Sequence, residues 1–187
     1  MRLGFTFEKT TMEGLFLVRP KVFGDDRGFF METFERNDFE SAGVKMEIVQ
    51  TNHSRSAAGV LRGLHFQYPP HAQAKLVRCI RGEILDVVVD IRPSSATFGK
   101  HFSVNLSDRN WSILYVPRGF AHGFIVLSDT ADIEYAVDNH YAPEHEGGVI
   151  WNDPKLAISW PIENPKLSEK DRKLPALGDI RDVLQQR

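Results

Sequence analysis

The sequence predicts a mainly β domain with a few short helices: a sandwich, jelly roll or barrel. Many short stretches read as strands, turn residues punctuate them at close intervals, and helical patterning is confined to brief segments. The 187 residues suit one domain spanning 1–187, long enough to bury a core without disulfide or metal staples.

The clearest strand covers 85–92. Leu85, Val87, Val89 and Ile91 share one face, and Asp86 and Asp90 share the other. Stretches 14–22, 28–34, 47–54, 74–80, 101–106, 112–116 and 133–137 look similar. Pro20, Gly24-Asp25-Asp26, Arg81-Gly82, Arg92-Pro93 and Ser107-Asp108-Arg109-Asn110 supply the turns between them. A short capped helix is expected over 37–43, ending at Gly43. Another is expected over 167–173, with Ser168 as N-cap and acids in its first turn. The tail 178–187 reads as a further short helix or a frayed end. No repeat, low-complexity segment or linker divides the chain.

Composition narrows the function. The net charge of −2 has no basic stripe behind it, which argues against a nucleic-acid or membrane-surface binder. A few converging Arg and Lys side chains could still hold a diphosphate. The one cysteine, Cys79, excludes an internal disulfide framework and reads as a buried, inert thiol. Residues 1–8 lack the apolar core of a leader, and no apolar stretch approaches the roughly 20 residues of a membrane span. A cytoplasmic protein is expected.

Polar groups cluster among strand-like residues in four places: Gln50-Thr51-Asn52-His53, 61–67, His71-Ala72-Gln73-Ala74-Lys75 and 117–123. Polar groups inside a barrel are costly unless paired or used, so the clustering suggests a cavity site. On a regular strand Lys75 shares a face with Val77 and Cys79, and Tyr135 with Ile133 and Val137. Arg62 and His65, three apart, would face opposite ways. If both serve one cavity, Gly63 should mark a bulge or twist. Taken singly, each of these residues has an ordinary structural reading, so pattern alone reaches a β-barrel with a polar cavity.

The stretch from Gly59 to Gln67, followed by 117–122, resembles the two signature motifs of the cupin superfamily. In metal-binding cupins the first motif holds two histidines one residue apart, then an acid. Here Gln67 takes the second histidine's place, and no acid follows until Glu83. Two imidazoles and an amide make a poor first-row metal site. The resemblance therefore implies a cupin-like double-stranded β-helix, a jelly-roll barrel, without metal in its cavity.

Together the segments resemble the dTDP-4-dehydrorhamnose 3,5-epimerase family over nearly the whole chain. They are Asp26-Arg27-Gly28-Phe29-Phe30, Gln50-Thr51-Asn52-His53-Ser54, 61–67, Lys75-Leu76-Val77-Arg78, 117–124, Tyr135, 141–146, Trp151-Asn152-Asp153-Pro154 and 167–171. The resemblance implies that His65 is the base, Asp171 its orienting carboxylate, Tyr135 the proton donor on the opposite face and Lys75 the stabiliser of an enolate. It implies that Arg27, Glu32, Gln50, Asn52, Arg62, His122, Glu146 and Lys170 bind a dTDP-hexulose, with Tyr141 stacking on the base. His140 departs from the family, which often has a second tyrosine there. The implied enzyme needs no cofactor, acts in dTDP-rhamnose biosynthesis and forms a homodimer, with the N-terminal strands as an element to add to a partner's sheet. Epimerisation at C3 alone or C5 alone, or a non-catalytic sugar-binding module, are the alternatives.

Overall fold

The computed structural model describes residues 4–186, so Met1, Arg2 and Leu3 of the stretch 1–8 and Arg187 of the tail lie outside it. Its strands, in chain order, are β1 (Phe5–Lys9), β2 (Phe16–Pro20), β3 (Val22–Asp25), β4 (Gly28–Met31), β5 (Gln50–Ala57), β6 (Leu61–Gln67), β7 (Lys75–Arg81), β8 (Glu83–Asp90), β9 (His101–Ser107), β10 (Ile113–Val116), β11 (Phe120–Val126), β12 (Thr130–Val137) and β13 (Glu146–Gly148). The helices are α1 (Arg36–Ser41), α2 (Glu169–Arg172) and α3 (Leu177–Gln186), with a 3₁₀ turn at Pro143–His145.

Two antiparallel sheets pack face to face. One has the order β1-β2-β10-β7-β12-β5, the other β13-β6-β11-β8-β9, and β3 and β4 form a separate hairpin. Val77, Cys79, Leu114 and Ile133 of the first sheet meet Ile84, Val88, Phe124 and Val126 of the second in the central core. The outer faces are also covered. Phe39, Val44 and Met46, on and after α1, close over Val18, Leu76 and Ile113. Leu156, Leu177 and Ile180 of the C-terminal region close over Val87, Val89 and Ile91. Most central strands are therefore apolar on both sides.

The predicted strand 14–22 is two elements. Proline has no N–H to continue a ladder, so β2 stops at Pro20 and Val22 starts the separate hairpin. The predicted strand 47–54 is displaced: β5 starts at Gln50 and runs to Ala57. The cap of α1 is Glu35, whose carboxylate accepts from the Asp38 N–H at 2.8 Å, rather than a residue inside the predicted span. Gly43 (φ +87°) follows α1 in the left-handed region expected of a helix stop. Ser168 caps α2 as expected, accepting from the Asp171 N–H at 3.1 Å.

Candidate active site

Between the open ends of the two sheets lies a cavity of about 310 Å³, bordered by Arg62, His65, Lys75, His122, Tyr135 and Asp171 among others. A roomier apolar cleft of about 450 Å³ opens elsewhere, beside Phe66 and Pro70. Its two arginines are committed, Arg92 to Asp90 and Arg118 to Asp138, so size is not what marks the site.

His65 and Arg62 reach the cavity together because β6 is irregular at Gly63. Gly63 has φ +124°, and a Cβ there would stand 2.6 Å from the Cα of Gly123, so only glycine fits. Opposite it, the β11–β6 register slips between His122, paired with His65, and Phe124, paired with Arg62. The slip turns two side chains three residues apart toward one side, as the sequence spacing required.

His65 Nε2 lies 2.6 Å from Asp171 Oδ1. Burial by itself would raise the Asp171 carboxyl, but the bond to His65, the Ser168 hydroxyl and the nearby Lys170 hold it below the usual range. Asp171 therefore stays an anion. A carboxylate so placed can fix the imidazole's tautomer and orientation and stabilise positive charge on the ring.

Lys75 and Tyr135 enter from the six-stranded sheet, facing the His65 sheet. Burial pushes the Lys75 ammonium down to about 8, against the opposing pull of Asp86 and Glu146. At pH 7 such a group is still about nine-tenths protonated, a cation aimed into a poorly solvated space. Burial raises the Tyr135 phenol, with Arg62 acting against the rise, so the phenol keeps its proton and can donate it. His65 and Tyr135 thus stand on opposed sheets.

A second imidazole–carboxylate pair was not anticipated. Asp86 is fully buried, and its Oδ2 lies 2.8 Å from His122 Nε2. Its Oδ1 is buried with no hydrogen-bond partner among the described residues, and its charge acts on Lys75. Ser54, whose buried hydroxyl also has no partner, lines the same cavity. Ser54 ends the 50–54 segment that carries part of the family resemblance, which implies no role for it. Asp86 was legible as one of two acids opposite an aliphatic face, but that face turns inward.

At the cavity mouth Glu146 Oε2 lies 2.5 Å from Lys170 Nζ and accepts from the Tyr141 hydroxyl at 2.7 Å. Burial would raise the Glu146 carboxyl, but Lys170 and Tyr141 overcome it and keep the group ionised. The exposed Tyr141 ring is placed by this bond and by its N–H to Gln50 Oε1 at 3.4 Å. The Gln50 amide donates to Asn52 Oδ1 at 2.8 Å. Asn52 pairs across the ladder with Tyr135, which joins the mouth to the cavity. Arg62 donates to Ser56 Oγ at 3.0 Å.

Two expected binders are not brought to this cavity. Arg27 sits at the turn of the β3–β4 hairpin, its side chain 90% exposed and bonded to Asp25. The exposed Glu32 lies beside Gly4 and Asp38. Both follow the projecting hairpin rather than the barrel. Gln67 is also directed away: its amide donates to the carbonyls of His71 and His140 and accepts from the Ala142 N–H. It braces the segment leading to Tyr141.

Opposed acid and base groups in the open end of a two-sheet jelly roll define a cupin-type epimerase. The chain belongs to the dTDP-4-dehydrorhamnose 3,5-epimerase family, whose profile matches residues 9–179. It is 56% identical over 164 residues to the dTDP-4-dehydrorhamnose 3,5-epimerase of Shigella flexneri, covering 87% of this chain and 91% of that one. The crystal structure of the Elizabethkingia anophelis dTDP-4-dehydrorhamnose 3,5-epimerase superposes with a TM-score of 0.91 at 47% identity, covering 94% of this chain and 98% of that one. That of the Legionella pneumophila dTDP-6-deoxy-D-glucose-3,5-epimerase, in complex with dTDP-4-keto-L-rhamnose, gives 0.92 at 44% identity, covering 96% of each chain.

Proposed function

We propose that this enzyme inverts C3 and C5 of dTDP-4-dehydro-6-deoxy-D-glucose, giving dTDP-4-dehydro-L-rhamnose for dTDP-L-rhamnose biosynthesis. The observation that carries the reading is the placement of the His65–Asp171 dyad on one sheet and Tyr135 with Lys75 on the other. A C4 ketone acidifies the hydrogens on both neighbouring carbons. His65 removes one, and Asp171 stabilises the resulting imidazolium. Negative charge then develops on the C4 oxygen, where the Lys75 ammonium meets it without reorganisation. Tyr135 returns a proton from the far side, which inverts the carbon. Each inversion needs an acid and a base on opposed faces, which a sugar-binding module would not require.

Arg62, His122 and the mouth groups Gln50, Asn52, Tyr141, Glu146 and Lys170 are suited to hold the nucleotide sugar. Arg27 and Glu32 can join them only if the hairpin reaches the cavity of a second copy. A homodimer is supported by β1, the exposed edge of its sheet, and by Phe23, Phe29 and Phe30 standing open to solvent on the hairpin. Among the described residues no helix is long and apolar enough to cross a membrane, and we place the enzyme in the cytoplasm as a single domain. The test is NMR of the sugar nucleotide after incubation in deuterated water. Deuterium and inversion at both carbons are expected. Exchange confined to one carbon would make this a single-centre epimerase, and no exchange would refute the enzymatic reading.

A further inference from the structure

Outside the cavity, His71, Glu144 and His145 come together with their ligand-type atoms all within 4.8 Å of one another. The histidine rings are 4.4 Å apart, centroid to centroid. His145 Nδ1 is sealed from solvent and has no hydrogen-bond partner among the described residues, although a buried imidazole nitrogen ordinarily finds one. The backbone at both histidines is fixed. The Tyr68 N–H donates to the His145 carbonyl at 2.8 Å, the His145 N–H to the Ala142 carbonyl at 3.0 Å, and the His71 N–H to the Tyr68 carbonyl at 3.0 Å. Gln67 adds a bond to the His71 carbonyl at 2.6 Å. These bonds hold both imidazoles on braced backbone, while Glu144 is exposed and can swing in.

We propose that His71, Glu144 and His145 form a binding site for a zinc-class divalent cation, separate from the epimerase cavity. Two imidazoles and a carboxylate are a ligand set that zinc and its neighbours favour, with water completing the tetrahedron. Ligand atoms around zinc stand about 3.4 Å apart at metal–ligand lengths of about 2.1 Å. The observed spread closes to that value with a modest movement of the exposed glutamate. The ion would tie the loop that precedes Lys75 to the segment carrying Tyr141 and Glu146. It takes no part in the proton transfers, which lie with His65, Lys75 and Tyr135.

The test uses the whole protein, freed of metal by dialysis against EDTA. Titration with Co(II), followed by its visible d–d absorption, and with Zn(II), by calorimetry, should each give one equivalent per chain. In wild-type protein, zinc should shift the NMR signals of His71 and His145 among the seven histidines. His71→Ala and His145→Ala should abolish binding, and Glu144→Gln should weaken it by about tenfold or more. Absence of binding to wild type, binding undiminished in Glu144→Gln or in the His71→Ala/His145→Ala double variant, or shifts at His65 and His122 instead would each overturn the assignment. The NMR arm needs no variant to fold.

Discussion

Replacing Lys75 with methionine should make the protein more stable and nearly inactive. Burial lowers the lysine from 10.5 to about 8. At 1.36 kcal/mol per unit, holding the ammonium in the folded cavity costs about 3 kcal/mol. The sign follows from the direction of the shift. Below pH 8 the lysine is charged in both states, and the folded protein bears the full cost. Between pH 8 and 10.5 the folded protein loses its proton while the unfolded chain keeps its own, and the cost fades. Methionine has similar length and no charge, so Lys75→Met should raise unfolding stability at pH 7 by up to about 3 kcal/mol. In a chain of this length that is about 6–12 °C in Tm. The gain should shrink to nearly nothing by pH 10.5. Turnover should fall by about 10²–10³, the usual loss when one preorganised group opposing a developing oxyanion is removed. Denaturant melts of both proteins at one protein concentration, from pH 7 to pH 10.5, test this directly. Equal stability at pH 7, or a gain independent of pH, would show that Lys75 is solvated and that its proposed strength as a buried cation is mistaken.

His65→Ala should abolish deuterium exchange at both carbons, whereas Tyr135→Phe should impair inversion more than exchange, because His65 can return a proton to the face it came from. NMR of recovered sugar nucleotide separates the two outcomes, and full inversion by Tyr135→Phe would assign the donor elsewhere. Asp86→Asn removes a charge that raises Lys75, so the alkaline limb of the pH–rate profile should move to lower pH; an unmoved limb would uncouple the two groups. Gly63→Ala should lose both stability and turnover, since its Cβ would collide with Gly123; near-normal melting and activity would mean that β6 does not need its kink. Cys79 is buried and pushed up to about 11, so a thiol reagent at pH 8 should label it only after denaturation. Turnover should survive EDTA, because the proposed cation site lies apart from the acid–base groups.

Many of the strands and turns were legible because alternation and turn chemistry are local properties, although β1 was missed and the stretch 14–22 divides at Pro20. Ser168 at the head of α2 and the need for a distortion at Gly63 were legible for the same reason: each concerns a few adjacent residues. The dyad was not, since His65 and Asp171 stand 106 positions apart and no spacing rule joins them. Only the resemblance placed them together, as it placed Lys75 and Tyr135 in their roles. Asp86 shows where alternation misleads. A strand with aliphatics on one face and acids on the other normally buries the first and wets the second. In β8 a C-terminal layer covers Val87, Val89 and Ile91 from outside, so the acidic face is the one that turns into the barrel. There Asp90 is held by Arg92, Ser95 and Thr97, while Asp86 is bonded, among the described residues, to His122 alone and its charge acts on Lys75. Two like residues on one strand face thus do different work: one anchors a turn, and the other helps keep the half-buried Lys75 cationic at neutral pH.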